Sequence, residues 1–420
     1  MKIAIVGSGI SGLTAAWLLQ RRHEITVYEA GGHIGGHTNT VPVALQGRTW
    51  PVDTGFIVFN RRTYPTFCTV LDRLKVPSRD STMSFAVRDE TSGLEWNGTS
   101  LGGVFAQRRN LLRPSHWGML RDILRFAAPA EQLATEPTPH DGSNELTLDE
   151  FLDKLRFGDS FRRYYLWPMT SAIWSMPPRD LGRFPARFLC RFLHNHGMLR
   201  VSGRPQWRTV VGGSWSYVTA MTATFRERIR LNTPVRRIVR SGDRVIVHTA
   251  DGAEAAFDRV ILASHADQSL AMLDRPSEAE CSVLADLPYS STLAVLHTDQ
   301  TVMPRTRSAW AAWNATIRAD QPDARACLTY DMNILQGLQS PDEFLVSLGL
   351  DDRIDPSKVL RRIPYSHPSY HVRSPAAQAR WAEISGADRI HYCGAYWGWG
   401  FHEDGCLSGL RVARQLGEDL

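Results

Sequence analysis

Lysine is nearly missing from this 420-residue chain: Lys2, Lys75, Lys154 and Lys358 are the only four, and the other 44 basic side chains are arginine. Such a skew reflects a GC-rich genome more than a function, but it leaves few primary amines for chemistry. Cysteine is sparse too, six residues with no C-x-x-C pair and no metal-ligand spacing, so no zinc site is indicated and reduced thiols are expected. No apolar run reaches the roughly 18 residues that a membrane span needs, and Met1-Lys2 leads straight into IAIVGSG without a charged-then-apolar leader. A cytoplasmic chain is expected, with peripheral contact at an inner membrane face left open. The net charge of +5, 22% charged and 43% hydrophobic residues are ordinary for a globular protein long enough for two domains. No dedicated fold accompanies the arginines, so nucleic acid is not an expected partner.

What is present begins at residue 3. An apolar run Ile3-Ala4-Ile5-Val6, a glycine turn, a helical stretch from Ile10 to Arg22 and a second run from Ile25 to Glu29 spell a β-α-β unit. Gly7, Gly9 and Gly12 stand between strand and helix, and Glu29 closes the next strand at the distance of a dinucleotide-binding fingerprint. Its carboxylate suits a ribose hydroxyl and disfavours a 2′-phosphate, without separating NAD from FAD. A hairpin is expected from Val41 to Val52 around Gln46-Gly47, a helix from Tyr64 to Leu74, and a helix capped by Thr147 with Glu150. The stretch ATEPTPHDGSN, residues 134–144, reads as a loop.

The continuation EAGGHIGGHTNT, residues 29–40, resembles the flavin-containing amine oxidase and phytoene desaturase superfamily, with Gly35, Gly36, His37 and Thr38 in its phosphate motif. The family usually has arginine where this chain has His37, which makes that contact weaker or pH-dependent. Asp53-Thr54-Gly55, Gly212-Gly213-Ser214, Pro234-Val235, Gly394 and Ser408-Gly409 stand at family-like distances. The resemblance implies FAD, with the Val235 backbone against adenine and a C-terminal helix, begun near Gly405, aimed at the flavin. Leu407, Leu410 and Leu416 are expected on that helix's buried side. Family members often follow the last strand with an acid that holds the ribityl chain, but here Ala395 follows Gly394; Glu403 and Asp404 are candidates to replace it, or caps of the helix. The runs RPQWRTVVGGSWSYV, SHADQSL, LTYDMNILQ and CGAYWGWGFHEDG look more narrowly like a subfamily encoded beside cyclopropane-fatty-acyl-phospholipid synthases.

The implied fold is α/β with an α+β second domain: a Rossmann-like FAD-binding domain of the amine oxidase type from residues 1–77, 205–285 and 376–420, and a mixed sheet-and-helix substrate domain from 78–204 and 286–375. The expected activity is hydride removal from a lipid or fatty-acyl substrate. Amine oxidation without the family's usual lysine, and a non-enzymatic FAD-binding partner of a lipid methyltransferase, are the alternatives. Trp397, Trp399 and His402 are candidates at the reacting end. Phe161, Tyr164, Tyr165, Leu166, Trp167, Met169, Ile173, Trp174 and Met176 offer either a substrate lining or a helical core, and His194 and His196 either acid-base or structural roles. Two basic stretches, residues 107–126 and 184–200, suit either solvent or anionic headgroups, with Trp117, Phe126, Phe188 and Phe192 expected to face inward.

Overall fold

The computed structural model describes residues 1–137, 146–174, 178–200, 203–321 and 327–420. Met176 and residues 138–144 of the expected loop lie outside the described residues; residues 134 and 135 of that stretch are still helical.

A five-stranded parallel sheet forms from β1 (Lys2–Val6), β2 (Glu24–Tyr28), β3 (Ile229–Arg230), β4 (Arg259–Leu262) and β5 (Ile390–Tyr392) in the order β3-β2-β1-β4-β5. β1 and β4 are covered on both faces, which is why they read as continuous apolar runs instead of alternating. Four helices matter to the site: α1 (Ile10–Leu19), α2 (Pro65–Leu74), α3 (Pro114–Thr135) and α4 (His402–Gln415). α1 and α4 cross with backbone nearly touching backbone. A Cβ on Gly409 would meet the Ser11 carbonyl oxygen at 2.3 Å, and on the other side of α1 one on Gly12 would meet the Gly7 carbonyl oxygen of the turn after β1 at 2.1 Å. Only glycine permits that approach.

The hairpin Thr40–Leu45 and Arg48–Asp53 closes on Gln46 and Gly47, both at positive φ, as a primed two-residue turn requires. Thr147 and Glu150 form the expected capping box. A seven-stranded, mostly antiparallel sheet runs from Val359–Pro368 through Tyr289–His297, Leu345–Leu348, Cys327–Asp331 and Trp313–Ile317 to Phe85–Asp89 and Leu94–Asn97. Helices between residues 101 and 195 pack on its Trp313–Ile317, Phe85–Asp89 and Leu94–Asn97 end. Their core is aromatic: Phe126, Phe161, Leu166, Phe184 and Phe192 are buried together.

Two sequence expectations fail here. Trp117 faces outward, because the α3 face that packs inward carries Met119, Asp122, Phe126 and Ala130. Leu407 is exposed as well: Gly405 and Gly409 of α4 face α1, and of the three leucines expected inside, Leu410 is buried and Leu416 packs on the core while Leu407 turns outward. Among the described residues, no helix is long and apolar enough to cross a membrane.

Candidate functional site

Between the two sheets and the helical layer lies a cavity of about 1280 Å³. That exceeds the roughly 300–1,000 Å³ of a pocket for one small ligand. Its nucleotide end is lined by Gly7, Gly9, Glu29, Gly35, Gly36, His37, Thr38 and Val235. Glu29 is already oriented: its carboxylate accepts from the Ser8 amide at 3.0 Å and the Gly31 amide at 2.7 Å, and also from the Ser8 hydroxyl. Gly55, Gly394, Trp399, Gly400, Phe401 and His402 line the middle.

Two observations test whether a dinucleotide fits. Gly9 has an ordinary φ of −69°, yet a Cβ built on it would meet nothing within 4 Å, so this glycine opens onto free space at the start of α1. The helix N-terminus there offers unsatisfied N–H groups to an anion. His37 is the second: it is half-buried in the cavity wall, stacked on Tyr365 with ring centroids 4.7 Å apart, and its buried Nε2 has no hydrogen-bond partner among the described residues. Burial first, then the neighbouring His367, hold His37 well below the ordinary histidine range, so it is neutral at pH 7. A neutral ring can offer one N–H to a phosphate but no positive charge, the physical content of the arginine-to-histidine departure.

His402 opens α4 and stacks on Phe56, centroids 3.6 Å apart at 8°. Its Nε2 lies 2.9 Å from the Tyr217 hydroxyl, which also contacts the Thr38 hydroxyl. Burial pushes this histidine down to about 3. α4 thus begins three residues before the expected Gly405. Gly405 packs against α1 instead of the cavity, where a Cβ would lie 2.7 Å from Ile10 Cγ2.

Neither acidic candidate reaches the cavity. Glu403 accepts from the backbone amides of Thr66 and Phe67, both at 2.9 Å, and so caps α2. Asp404 accepts the Phe401 amide at 2.9 Å and caps α4, and burial pushes its carboxyl up to about 7. The ribityl-acid expectation therefore fails for both, since each carboxylate is consumed by helix N–H groups. Trp397 also misses the cavity, packing on Tyr396 in the nucleotide-side core with centroids 5.1 Å apart, whereas Trp399 lines it.

The far end is apolar. Tyr165, Met169, Ile173 and Trp174 from the helical layer face Phe85, Trp96, Trp313 and Tyr330 from the large sheet. Tyr165 belongs to a π-helical turn, Arg162–Leu166, a widening often found where a helix serves a site. His196 lies here, stacked on Phe192 at 4.0 Å and pushed by burial down to about 4; His194 instead pairs with Glu131 outside the cavity. None of the four lysines lines the cavity. Sequence reasoning missed His265, Tyr289, Trp313 and His367, all of which line it. His265 fell inside a run carrying the subfamily resemblance, a usable signal; Tyr289, Trp313 and His367 had none.

Comparison with known proteins agrees with this geometry. The profile described as flavin containing amine oxidoreductase matches residues 10–334. The chain belongs to that family and has its amine oxidase-type fold. A Mycobacterium tuberculosis protein assigned as a flavin-containing monoamine oxidase is 29% identical over 269 residues, 61% of this chain and 55% of that protein. A carotenoid phi-ring synthase of Streptomyces griseus is 26% identical over 278 residues, 65% of this chain and 52% of that protein. The chain thus spans about half the length of the curated relatives it matches. Among solved structures, a putrescine oxidase variant (TM-score 0.68, 15% identity, 99% of this chain and 98% of that one) shares the fold. A fatty acid isomerase from P. acnes does so too (TM-score 0.70, 15% identity, 99% and 98%).

Proposed function

We propose that this enzyme withdraws two hydrogens from a lipid or fatty-acyl chain. The observation that carries the reading is the lining of the far end of the cavity, built mainly from rings and aliphatic groups with neither a lysine nor a carboxylate among the described residues. When bound, FAD supplies the two-electron acceptor. The chain's own part is to hold an apolar substrate against the middle of the cavity and to keep water out, which Tyr165, Met169, Ile173 and Trp399 suit. An amine would enter as a cation and find no acidic side chain there to pair with. The carotenoid synthase name of the Streptomyces griseus relative is compatible with an apolar substrate. Anaerobic incubation with phospholipids and free fatty acids, followed by mass spectrometry, is expected to reveal products two hydrogens lighter alongside flavin bleaching. Unchanged lipids with rapid bleaching by amines would overturn the reading.

The same proposal includes docking on an anionic membrane. Residues 101–126 carry five arginines and one carboxylate, Asp122, which is buried and held by Arg125 at 2.9 Å. Beside them Leu101, Leu111, Leu112, Trp117 and Leu124 are exposed, Leu112 by 87%. Trp117 and Leu124 share one outward stripe of α3. Arginines next to exposed leucines and a tryptophan fit acidic headgroups over acyl chains. Co-sedimentation is expected with phosphatidylglycerol vesicles but not phosphatidylcholine ones. The double substitution Leu112→Asp, Trp117→Asp is expected to cut the bound fraction about tenfold, given ~1 kcal/mol or more per lost anchor. Undiminished binding of that variant would exclude this face.

A further inference from the structure

The charge inventory of the cavity singles out one residue. Glu29 and Arg236 line its nucleotide end, Arg236 directly beside Val235. The histidines that line it are held below their ordinary range by burial and carry no charge at pH 7. Of the described lining residues with a formal charge, that leaves Arg204, on the segment that also brings Pro205, Gln206 and Trp207 to the apolar end.

Arg204 is exposed, so it stands at the rim and not inside. Its Nε–H donates to the Arg200 carbonyl at 2.7 Å, which fixes the guanidinium while leaving both terminal nitrogens free; no carboxylate pairs with it among the described residues. Its charge is felt by the Tyr165 phenol inside the cavity. Next to it, Gly197 lies under Pro205, and Arg62 also reaches Gly197, 3.6 Å from where its Cβ would be. The mouth of an apolar cavity is therefore cationic and unneutralised.

Resting on the acyl reading above, we propose that Arg204 is the head-group anchor: the substrate is an acyl chain bearing an anionic head, bound with its head on the Arg204 guanidinium and its tail running past Tyr165 and Met169 toward Trp399. A fork of N–H donors matches a carboxylate or a phosphate equally well. Both a free fatty acid and a lysophospholipid carry that chemistry. The same charge discourages cationic amines from entering.

Tryptophan fluorescence of the FAD-loaded protein, titrated with oleate, oleoyl lysophosphatidate and methyl oleate below their micellar limits, tests this without relying on turnover. Wild-type protein is expected to bind at least one of the two anions about tenfold more tightly than the neutral ester, a usual margin for one charge-assisted contact. Preference between the anions tells which head is used. Arg204→Ala is expected to abolish the margin while leaving methyl oleate affinity unchanged, and Arg204→Lys to restore part of it. An unchanged margin in Arg204→Ala, or equal loss for ester and anion, overturns the anchor while the acyl reading stands. If none of the three ligands binds wild-type protein, both readings fall.

Discussion

Gly9→Val is expected to yield a folded protein that purifies without flavin colour. The backbone at Gly9 has a φ that any residue adopts, and a Cβ there meets no protein atom within 4 Å, so the fold is expected to accept the substitution. The isopropyl group would occupy the space at the start of α1 that a pyrophosphate needs, and FAD affinity is expected to drop by roughly 100-fold or more, about 3 kcal/mol. Absorbance near the flavin band per mole of protein reads the effect, and circular dichroism with a thermal melt reads the fold. Gly12→Val is the contrasting case: its Cβ would strike the Gly7 carbonyl at 2.1 Å, so it is expected to lose the fold as well as the flavin. A yellow, stoichiometric Gly9→Val protein would show that the cofactor does not pass over this glycine.

Asp404→Asn is expected to remove a penalty that the wild-type protein carries at neutral pH. The folded carboxyl sits up at about 7 because it is buried, whereas the unfolded one titrates near 3.8. Between those values the folded chain holds a proton that the unfolded chain has released. Stability from this group is therefore complete below about 4 and is lost as pH rises through 7. The full difference corresponds to roughly 4 kcal/mol. Asparagine never ionises, and its carboxamide oxygen can still accept the Phe401 amide. His196, His367 and His402, all pushed down by burial, act in the opposite direction. Below about 6.5 the unfolded chain binds protons that these folded rings refuse, so stability falls on the acid side. That loss is common to both proteins and cancels in their difference. Denaturant unfolding of the flavin-loaded forms at pH 5 and pH 8 is expected to show the variant gaining on wild type at both, and clearly more at pH 8. Equal differences at both pH values would mean that the Asp404 carboxyl is not raised.

Legibility in the sequence followed the range of the interactions. Gly7, Gly9 and Glu29 were readable because strand, turn and helix are set by neighbours within thirty residues, and the family-type fold followed from them. The large sheet's contribution to the cavity was not readable. Trp313 and His367 reach it only because strands far apart in sequence pair side by side, and no local pattern encodes that pairing. Within the run YWGWGFHEDG the failure was one of phase. α4 starts three residues earlier than composition suggested, which swings Glu403 from the cavity to the amides of α2. Trp397 and Trp399 are two residues apart, yet the turn through Gly398 sends one into the core and the other to the cavity wall.

The close crossing of α1 and α4 also bears on how the chain is made. β1 and α1 emerge from the ribosome more than 350 residues ahead of the sheet's edge strand β5 and the helix that presses Gly409 onto Ser11. Domains usually condense in the order of synthesis. Here the nucleotide-binding half stays open until translation has passed residue 409, with an apolar central strand waiting for partners. FAD loading is thus a late event, and a chain stalled before that point has nothing complete to bind it.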